Sequence, residues 1–211
     1  MTRPSRLVVV AGTGTEVGKT WVTAALVREL RAAEVRAAAR KPAQSFAPDD
    51  KRTDADVLGE ASEESAEVVC LRPRWYEVPM APPMAADALG RPSFTVADLV
   101  GELQWPDDVD VGLVETAGGV RSPLANDGDT VDLVAALRPE HVVLVADAGL
   151  GTINAVRLSY PPLAVLEDVT VFLNRYDADD DLHRRNRAWL EDEGIAVTDD
   201  VADLADHICG T

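Results

Sequence analysis

The chain has 211 residues, a length that suits one domain over residues 1–211. Hydrophobic residues make up 46% of it and are spread along the whole length, which argues against intrinsic disorder. The formal net charge of −17 disfavours nucleic acid and anionic membranes as partners, because both are densely negative. No run approaches the roughly 18 apolar residues of a membrane span, and the two cysteines form no metal-ligand pattern, so a cytoplasmic protein is expected.

Short apolar runs alternate with helical patterns along the chain. In chain order, the pattern predicts strand 7–11, helix 18–33, strand 35–40, helix 53–63, helix 95–104, strand 111–114, helix 129–138, strand 141–146, strand 169–173, helix 181–193 and helix 200–209. Pro161 and Pro162 interrupt a further helix expected after Gly151, and residues 72–92 predict an irregular loop around a short helix. This alternation predicts the α/β class, with a mostly parallel sheet covered by helices on both faces.

A glycine-rich turn links the first strand to the first helix. It reads Gly12-Thr13-Gly14-Thr15-Glu16-Val17-Gly18-Lys19-Thr20, and it departs from the GxxxxGKS/T pattern by one position, with Thr13 where a glycine is expected. The backbone amides of this turn, from Gly14 to Thr20, are expected to face nucleotide phosphates, where the helix dipole adds positive potential. Lys19 is expected to reach the β- and γ-phosphates, and the Thr20 hydroxyl to coordinate Mg²⁺. The sequence therefore predicts a site for ATP with Mg²⁺.

This turn resembles the phosphate loop of the dethiobiotin synthetases, which carry the same spacing. Partition-type ATPases share the fold but place a signature lysine five residues before the phosphate-loop lysine, where this chain has Gly14. The resemblance implies a single-domain P-loop NTPase fold. It also implies that 7,8-diaminopelargonate and CO₂ form a carbamate, that ATP phosphorylates it, and that the second amine closes a cyclic urea.

The segment Lys41-Pro42-Ala43-Gln44-Ser45 ends the second predicted strand, at the edge where ligands bind. Lys41 is suited to neutralising charge on a transferred phosphoryl group and Ser45 to donating a hydrogen bond, although a solvated lysine is the ordinary alternative. The likeness to the family's Lys-Pro segment implies that Lys41 contacts the γ-phosphate and the carbamate. Lys41 and Lys19 are thus the candidate catalytic residues, and Thr15 is assigned to both ATP and the substrate.

Two acidic residues are candidates for holding the metal together with Thr20. Glu115 follows a buried strand, where P-loop proteins place a magnesium-orienting acid, and Asp54 begins a helix in a Thr-Asp-Ala segment that resembles a metal-binding segment of the family. The alternatives are an exposed loop glutamate and a capping carboxylate. Gly118 is assigned to the substrate, while Thr116 stands where the family has a glycine and is expected to reshape the pocket if it touches the substrate.

Two further segments are assigned from the resemblance. Leu150, Gly151, Thr152, Ile153 and Asn154 match a segment that reaches across a homodimer interface to the substrate carboxylate, although a glycine turn that caps a helix is the ordinary reading. Asn174 matches the asparagine that recognises adenine, although asparagine is also common in turns. Residues 175–177 carry no family motif.

Two other functions remain open from the sequence. One is a different ATP-dependent ligase or amidotransferase on the same fold, with Thr116 marking a changed pocket. The other is a nucleotide-switched protein of the partition type, against which the acidic composition and Gly14 both argue.

Overall fold

A computed structural model describes residues 3–210. Its strands, in chain order, are β1 (Arg6–Gly12), β2 (Ala37–Arg40), β3 (Gln44–Ser45), β4 (Trp75–Tyr76), β5 (Val111–Glu115), β6 (His141–Asp147), β7 (Val169–Asn174) and β8 (Ala196–Thr198). Six of them form a parallel sheet in the order β2-β5-β1-β6-β7-β8, and β3 pairs with β4 in a small second sheet.

The helices flank the sheet on both faces. They are α1 (Lys19–Ala32), α2 (Asp54–Ser62), α3 (Ala66–Val69), α4 (Pro82–Ala88), α5 (Val96–Glu102), α6 (Thr130–Leu137), α7 (Thr152–Ser159), α8 (Pro161–Ala164), α9 (Asp181–Asp192) and α10 (Val201–Cys209), with a 3₁₀ turn at Arg72–Arg74. Within residues 3–210, none of these helices is long and apolar enough to cross a membrane.

The central strand β1 explains why the sheet is covered twice. Val9 packs into one hydrophobic cluster with residues of α5 and α6, while Val8 and Val10 pack into a second cluster with residues of α1 and α10. Since successive side chains of a strand point to opposite faces, a continuous apolar run must be covered on both sides. The run that predicted a buried strand therefore also fixes the position of the helices.

The strand order places the candidate site. The chain leaves β1 through α1 toward β2 on one side, while β6 pairs with β1 on the other side. Loops diverge where neighbouring connections run in opposite directions, and ligands of α/β sheets bind in the resulting crevice. Val10 is in register with Glu115 and Gly12 with Val145, so the ends of β1, β5 and β6 meet at this edge.

The predicted α/β class and parallel sheet are confirmed, and the long elements lie within one or two residues of their expected bounds. Tyr160 separates α7 from α8, which begins at Pro161. This break is expected, because proline has no backbone N–H with which to continue the hydrogen bonds of a helix. The small sheet β3–β4 was not predicted, because strands of two residues carry no periodic signal. The edge strand β8 was also missed, since it is short and only half-buried.

Candidate active site

The turn between β1 and α1 folds around the side chain of Lys19, the first residue of α1. Lys19 is buried and donates a hydrogen bond from Nζ to the carbonyl oxygen of Gly14 over 2.8 Å. A Cβ atom at Gly12 would lie 2.8 Å from Lys19 Cδ, so a side chain at position 12 would displace the lysine. The glycine that stands outside the usual pattern therefore leaves room for Lys19 to fold back over the loop.

Gly18, the residue before α1, is held against the end of β7. Its φ of 94° lies in the left-handed region, and a Cβ atom there would come within 1.9 Å of Asn174 Nδ2. The same Nδ2 donates a hydrogen bond to the carbonyl oxygen of Val17 over 2.9 Å. Glycine is required here both by the backbone conformation and by the close approach of Asn174.

We expect Gly18→Ala to lower the free energy of unfolding by about 1–3 kcal/mol, because alanine at this φ is strained and displaces Asn174. Nucleotide affinity should fall with it, since the phosphate loop shifts. Denaturant unfolding and calorimetric titration measure the two effects. The matched control is Gly90→Ala, where φ is 63° but no atom lies within 4 Å of the added Cβ, so only the backbone cost remains. Equal losses of nucleotide affinity in both variants would contradict the account.

Three oxygen-bearing side chains from three elements converge at the start of α1. Thr20 Oγ1 lies 2.8 Å from Asp54 Oδ1 and 2.8 Å from Glu115 Oε1, and its single proton is donated to one carboxylate at a time. Glu115 ends β5 and is fully buried, while Asp54 begins α2, whose first turn is fixed by a capping box between Thr53 and Asp56. The fold thus brings together the three residues assigned to the metal.

The oxygen cluster fits a magnesium ion. Glu115 Oε2 is buried and has no hydrogen-bond partner among the described residues, so one carboxylate oxygen of the cluster is uncompensated. No group of three or more His, Cys, Asp or Glu side chains in residues 3–210 could hold a metal alone. Two carboxylates and a hydroxyl suit Mg²⁺, which takes few protein ligands and completes its octahedron with phosphate oxygens and water.

Lys41 lies between the two acids of the cluster. Its Nζ is 2.6 Å from Asp54 Oδ2 and 2.6 Å from Glu115 Oε1, and its side chain is only 2% exposed. Burial lowers the pKa of Lys41, but the charges and hydrogen bonds of Asp54 and Glu115 outweigh burial and raise it. Lys41 is therefore a permanently charged ammonium, in contrast to the solvated lysine that a strand end would ordinarily carry.

Lys19 has the opposite electrostatic environment. Burial, and then repulsion by the Lys41 charge, lower the pKa of Lys19 to about 8, despite the attraction of Glu115 and Asp54. Without an anionic ligand, two ammonium groups thus share a space that holds two carboxylates. A phosphate group entering this space would supply a negative counter-charge for the Lys19 ammonium.

A cleft of about 720 Å³ opens onto these groups. Of the residues assigned from sequence, its walls contain Thr15, Glu16, Gly18, Lys19, Thr20, Lys41, Ser45, Asp54 and Gly118. Ser45 Oγ donates its proton to the carbonyl oxygen of Met80 over 2.6 Å, which leaves its lone pairs to accept from a ligand. The cleft is large enough for a small molecule in addition to the phosphates.

The Thr116 side chain does not reach the cleft. It is fully buried, its Oγ1 lies 3.4 Å from the carbonyl oxygen of Val10, and its amide donates to the same oxygen over 3.0 Å. Its φ is not positive, whereas Gly118 two residues later has a φ of 71°. The side chain points toward β1 and away from the cleft, so this orientation does not support a reshaping of the pocket by Thr116.

Asn174 and the segment 150–154 lie at two other parts of this edge. A second cavity of about 500 Å³ lies beside the phosphate loop and is lined by Gly18, Trp21, Phe172, Leu173, Asn174, Arg175, Tyr176 and Asp199. The segment 150–154 does not line the cleft of its own chain: Leu150 is 92% exposed, and Thr152 Oγ1 is buried with no hydrogen-bond partner within residues 3–210. Its assignment across a dimer interface stays a prediction.

Two residues were not singled out from the sequence. Gln44 lines the cleft, and its Oε1 accepts a hydrogen bond from the amide of Ala55 over 3.0 Å, which fixes the start of α2 beside Asp54. Arg175 lines both cavities. Position gave a signal for both, since Gln44 lies in the Lys41–Ser45 segment and Arg175 follows a strand end, but neither residue type points to one role.

A strand, a glycine-rich turn and a Lys-Thr helix start, with an acid at the neighbouring strand end, define a P-loop NTPase. The family model described as "AAA domain" matches residues 6–177. The chain belongs to the ATP-dependent dethiobiotin synthetase family, whose members are ligases of biotin biosynthesis. It is 41% identical over 156 residues to the ATP-dependent dethiobiotin synthetase of an Anaeromyxobacter species, an alignment that covers 73% of this chain and 69% of the relative.

A further relative agrees with this assignment, and two solved structures share the fold. The ATP-dependent dethiobiotin synthetase of Haloferax mediterranei is 38% identical over 196 residues, which cover 91% of this chain and 82% of that protein. Among solved structures, a DUF1611 family protein from Anabaena variabilis has a TM-score of 0.58 at 18% identity, covering 100% of this chain and 58% of that one. A ParA protein bound to nonspecific DNA has a TM-score of 0.54 at 15% identity, covering 89% and 74%. These structures share the fold.

Proposed function

We propose that this chain catalyses the ATP- and Mg²⁺-dependent ring closure of 7,8-diaminopelargonate with CO₂ to dethiobiotin. The observation that carries the proposal is the convergence of Lys19, Lys41 and the oxygen cluster on one cleft, in a chain of the dethiobiotin synthetase family. Carbamate formation needs CO₂ and an uncharged amine, and phosphoryl transfer needs positioning and charge neutralisation. Neither step requires a nucleophile on the protein.

The phosphate loop binds the nucleotide. Its amides from Gly14 to Thr20 hold the phosphate oxygens, and Lys19 bridges the β- and γ-phosphates. Thr20, Asp54 and Glu115 would hold Mg²⁺, and the ion would supply charge neutralisation at the γ-phosphate. Asn174, at the cavity beside the loop, contacts the adenine edge with the amide atoms that Val17 leaves free.

The proposed reaction has three steps. One amine adds to CO₂ and loses a proton, which gives a carbamate. A carbamate oxygen attacks the γ-phosphorus and ADP leaves, forming a carbamic-phosphoric anhydride while Lys41 offsets the developing negative charge. The second amine then attacks the carbonyl carbon, phosphate leaves with the bonding pair, and loss of a proton completes the cyclic urea. Thr15, Ser45 and Gly118 line the part of the cleft where the carbamate would lie.

The substrate carboxylate is bound by a second copy of the chain. Residues 150–154 lead into α7 and begin it, and the amides of Ile153 and Asn154, which donate no hydrogen bond within residues 3–210, suit a carboxylate. These residues are absent from the lining of the cleft of the same chain and Leu150 is exposed, which favours an arrangement in which a homodimer completes each site.

Phosphate release from ATP tests the function. We expect release to require both diaminopelargonate and bicarbonate, and to stop when either is omitted. A different ligase of this fold would respond to another acceptor, and a partition-type ATPase would hydrolyse ATP slowly without either compound. Release that is independent of both compounds would overturn the proposal.

The affinity for Mg·ATP should fall as pH rises through about 8. The pKa of Lys19 is lowered to about 8 in the free protein, and bound phosphates favour its charged form. Below that pH the ammonium is already present and affinity is greatest, whereas above it a proton must be taken up on binding. We expect about twentyfold weaker binding at about pH 9.5 than at about pH 7.5. Titration calorimetry in two buffers of different ionisation enthalpy would report the uptake, and its absence near pH 8.5 would contradict the assignment.

A further inference from the structure

The end of β7 holds the phosphate loop at two successive carbonyl groups. Asn174 Nδ2 donates to the carbonyl oxygen of Val17 over 2.9 Å, and Arg175 Nη2 donates to the carbonyl oxygen of Glu16 over 2.9 Å. Both contacts join residues far apart in the chain, so they exist only in the folded protein. The loop is thus fastened from its outer side, next to the cleft that Arg175 also lines.

These two contacts fix the direction of two amides. In a planar trans peptide the C=O and N–H bonds point in opposite directions. With the carbonyls of Glu16 and Val17 drawn toward β7, the amides of Val17 and Gly18 are turned the opposite way. Neither amide donates a hydrogen bond within residues 3–210, so both stay available to an anion.

The loop conformation that Arg175 contacts is strained. Glu16 has a φ of 62° and Arg175 itself a φ of 60°, both in the left-handed region that residues with a Cβ rarely adopt. Such conformations persist where surrounding contacts outweigh their cost. The hydrogen bond from Arg175 to Glu16 joins the two strained residues directly.

Asp147, the last residue of β6, holds the guanidinium in place. Arg175 Nη1 lies 2.8 Å from Asp147 Oδ2, while Asp147 Oδ1 accepts from the amide of Gly149 over 2.8 Å. The Gly149 hydrogen bond and then Arg175 lower the pKa of Asp147 despite its partial burial, so the carboxylate is ionised at neutral pH. A series of hydrogen bonds therefore connects the end of β6, through the Arg175 guanidinium, to the phosphate loop.

We propose that Arg175, oriented by Asp147, is a positioning residue that preforms the phosphate loop for nucleotide binding. This inference rests on the proposed nucleotide site, and no role in the chemistry is assigned to Arg175. Without Arg175, the loop relaxes in the free protein, and binding must restore it. Once bound, the phosphates impose the same loop conformation, so the loss falls on affinity and leaves the chemical step unchanged.

The test compares Arg175→Met with a matched control, Arg36→Met. Arg36 forms an ion pair with Asp110 over 2.8 Å at 61% side-chain exposure, and Arg175 pairs with Asp147 over 2.8 Å at 60%. Arg36 precedes β2, so it lies at the amino end of that strand, whereas the site lies at the carboxyl ends of the strands. We expect Arg175→Met to raise the Kd for Mg·ATP and the KM for ATP about tenfold, with kcat within about twofold of wild type. The control should leave all three constants unchanged.

A double-mutant cycle with Asp147→Asn separates positioning from general destabilisation. Asparagine keeps an acceptor for the amide of Gly149 but loses the charge that orients Arg175. We expect Asp147→Asn to weaken binding about threefold alone and to add nothing in the Arg175→Met background, because both act through one contact. Additive losses, or a lowered Tm with unchanged Kd below the transition, would overturn the proposal.

Calorimetry with wild type and Arg175→Met distinguishes a wrong role for Arg175 from a wrong nucleotide site. If wild type binds no Mg·ATP in calorimetry, the nucleotide site is wrong and the inference falls with it. If wild type binds Mg·ATP and Arg175→Met binds it equally well, the nucleotide site stands and the role of Arg175 is refuted.

Discussion

Replacing Lys19 with alanine is expected to lower turnover about a thousandfold or more while the fold is retained. The ammonium lies over the phosphate loop, 2.8 Å from the carbonyl oxygen of Gly14, and burial, followed by repulsion from Lys41, lowers its pKa to about 8, so added negative charge would stabilise it. Phosphates would provide that charge, so the variant loses both affinity and transition-state stabilisation. Removing a buried, desolvated cation should leave stability unchanged or slightly raised.

Turnover is measured by phosphate release at saturating diaminopelargonate and bicarbonate, and stability by thermal unfolding. The control is Lys51→Ala, because Lys51 is exposed and is the one other lysine besides Lys41 in the sequence. The control should keep wild-type turnover. Turnover in Lys19→Ala within about tenfold of wild type would contradict the role given to this lysine.

The Lys41→Met variant is expected to lose turnover to a similar extent, but with a different effect on stability. Lys41 lies 2.6 Å from a carboxylate oxygen of Asp54 and of Glu115, so methionine leaves two acids without their counter-charge. Breaking a buried ion pair costs about 3–5 kcal/mol. Mg²⁺ can replace the lost charge, so we expect the Tm to fall in the absence of Mg²⁺ and to recover partly when it is added.

The comparison that checks this is thermal unfolding of wild type, Lys41→Met and Lys51→Met, each with and without Mg²⁺. A Mg²⁺-dependent gain in Tm that is larger in Lys41→Met than in the other two proteins supports a shared site for the metal and the ammonium. Full turnover in Lys41→Met, or a Tm independent of Mg²⁺, would contradict it.

The fold followed from the sequence because its strongest signals are local. The run before Gly12 is apolar on both faces, and the Lys-Thr pair after Gly18 starts a helix, so strand, turn and helix are all encoded within one short segment. The meeting of Glu115 with Thr20 was also predictable, since parallel strands end at one edge. Tertiary contacts then set the details, as with the Thr116 side chain, which points toward β1.

What the sequence did not reveal depends on long-range register. The contact of Arg175 with Glu16 arises only because β7 ends beside the phosphate loop. The Asn-Arg pair carries no sequence signal that predicts this contact. Gln44 is a similar case, because its role depends on the hydrogen bond that its side chain accepts from the amide of Ala55. Short edge elements such as β8 escape detection because they bury little apolar surface.

Carbon labelling tests the central claim most directly. The chain is incubated with ATP, Mg²⁺, diaminopelargonate and ¹³C-bicarbonate, and the products are examined by mass spectrometry. We expect a cyclic urea that carries one ¹³C atom, with one phosphate released for each molecule formed. Phosphate release without labelled urea would contradict it.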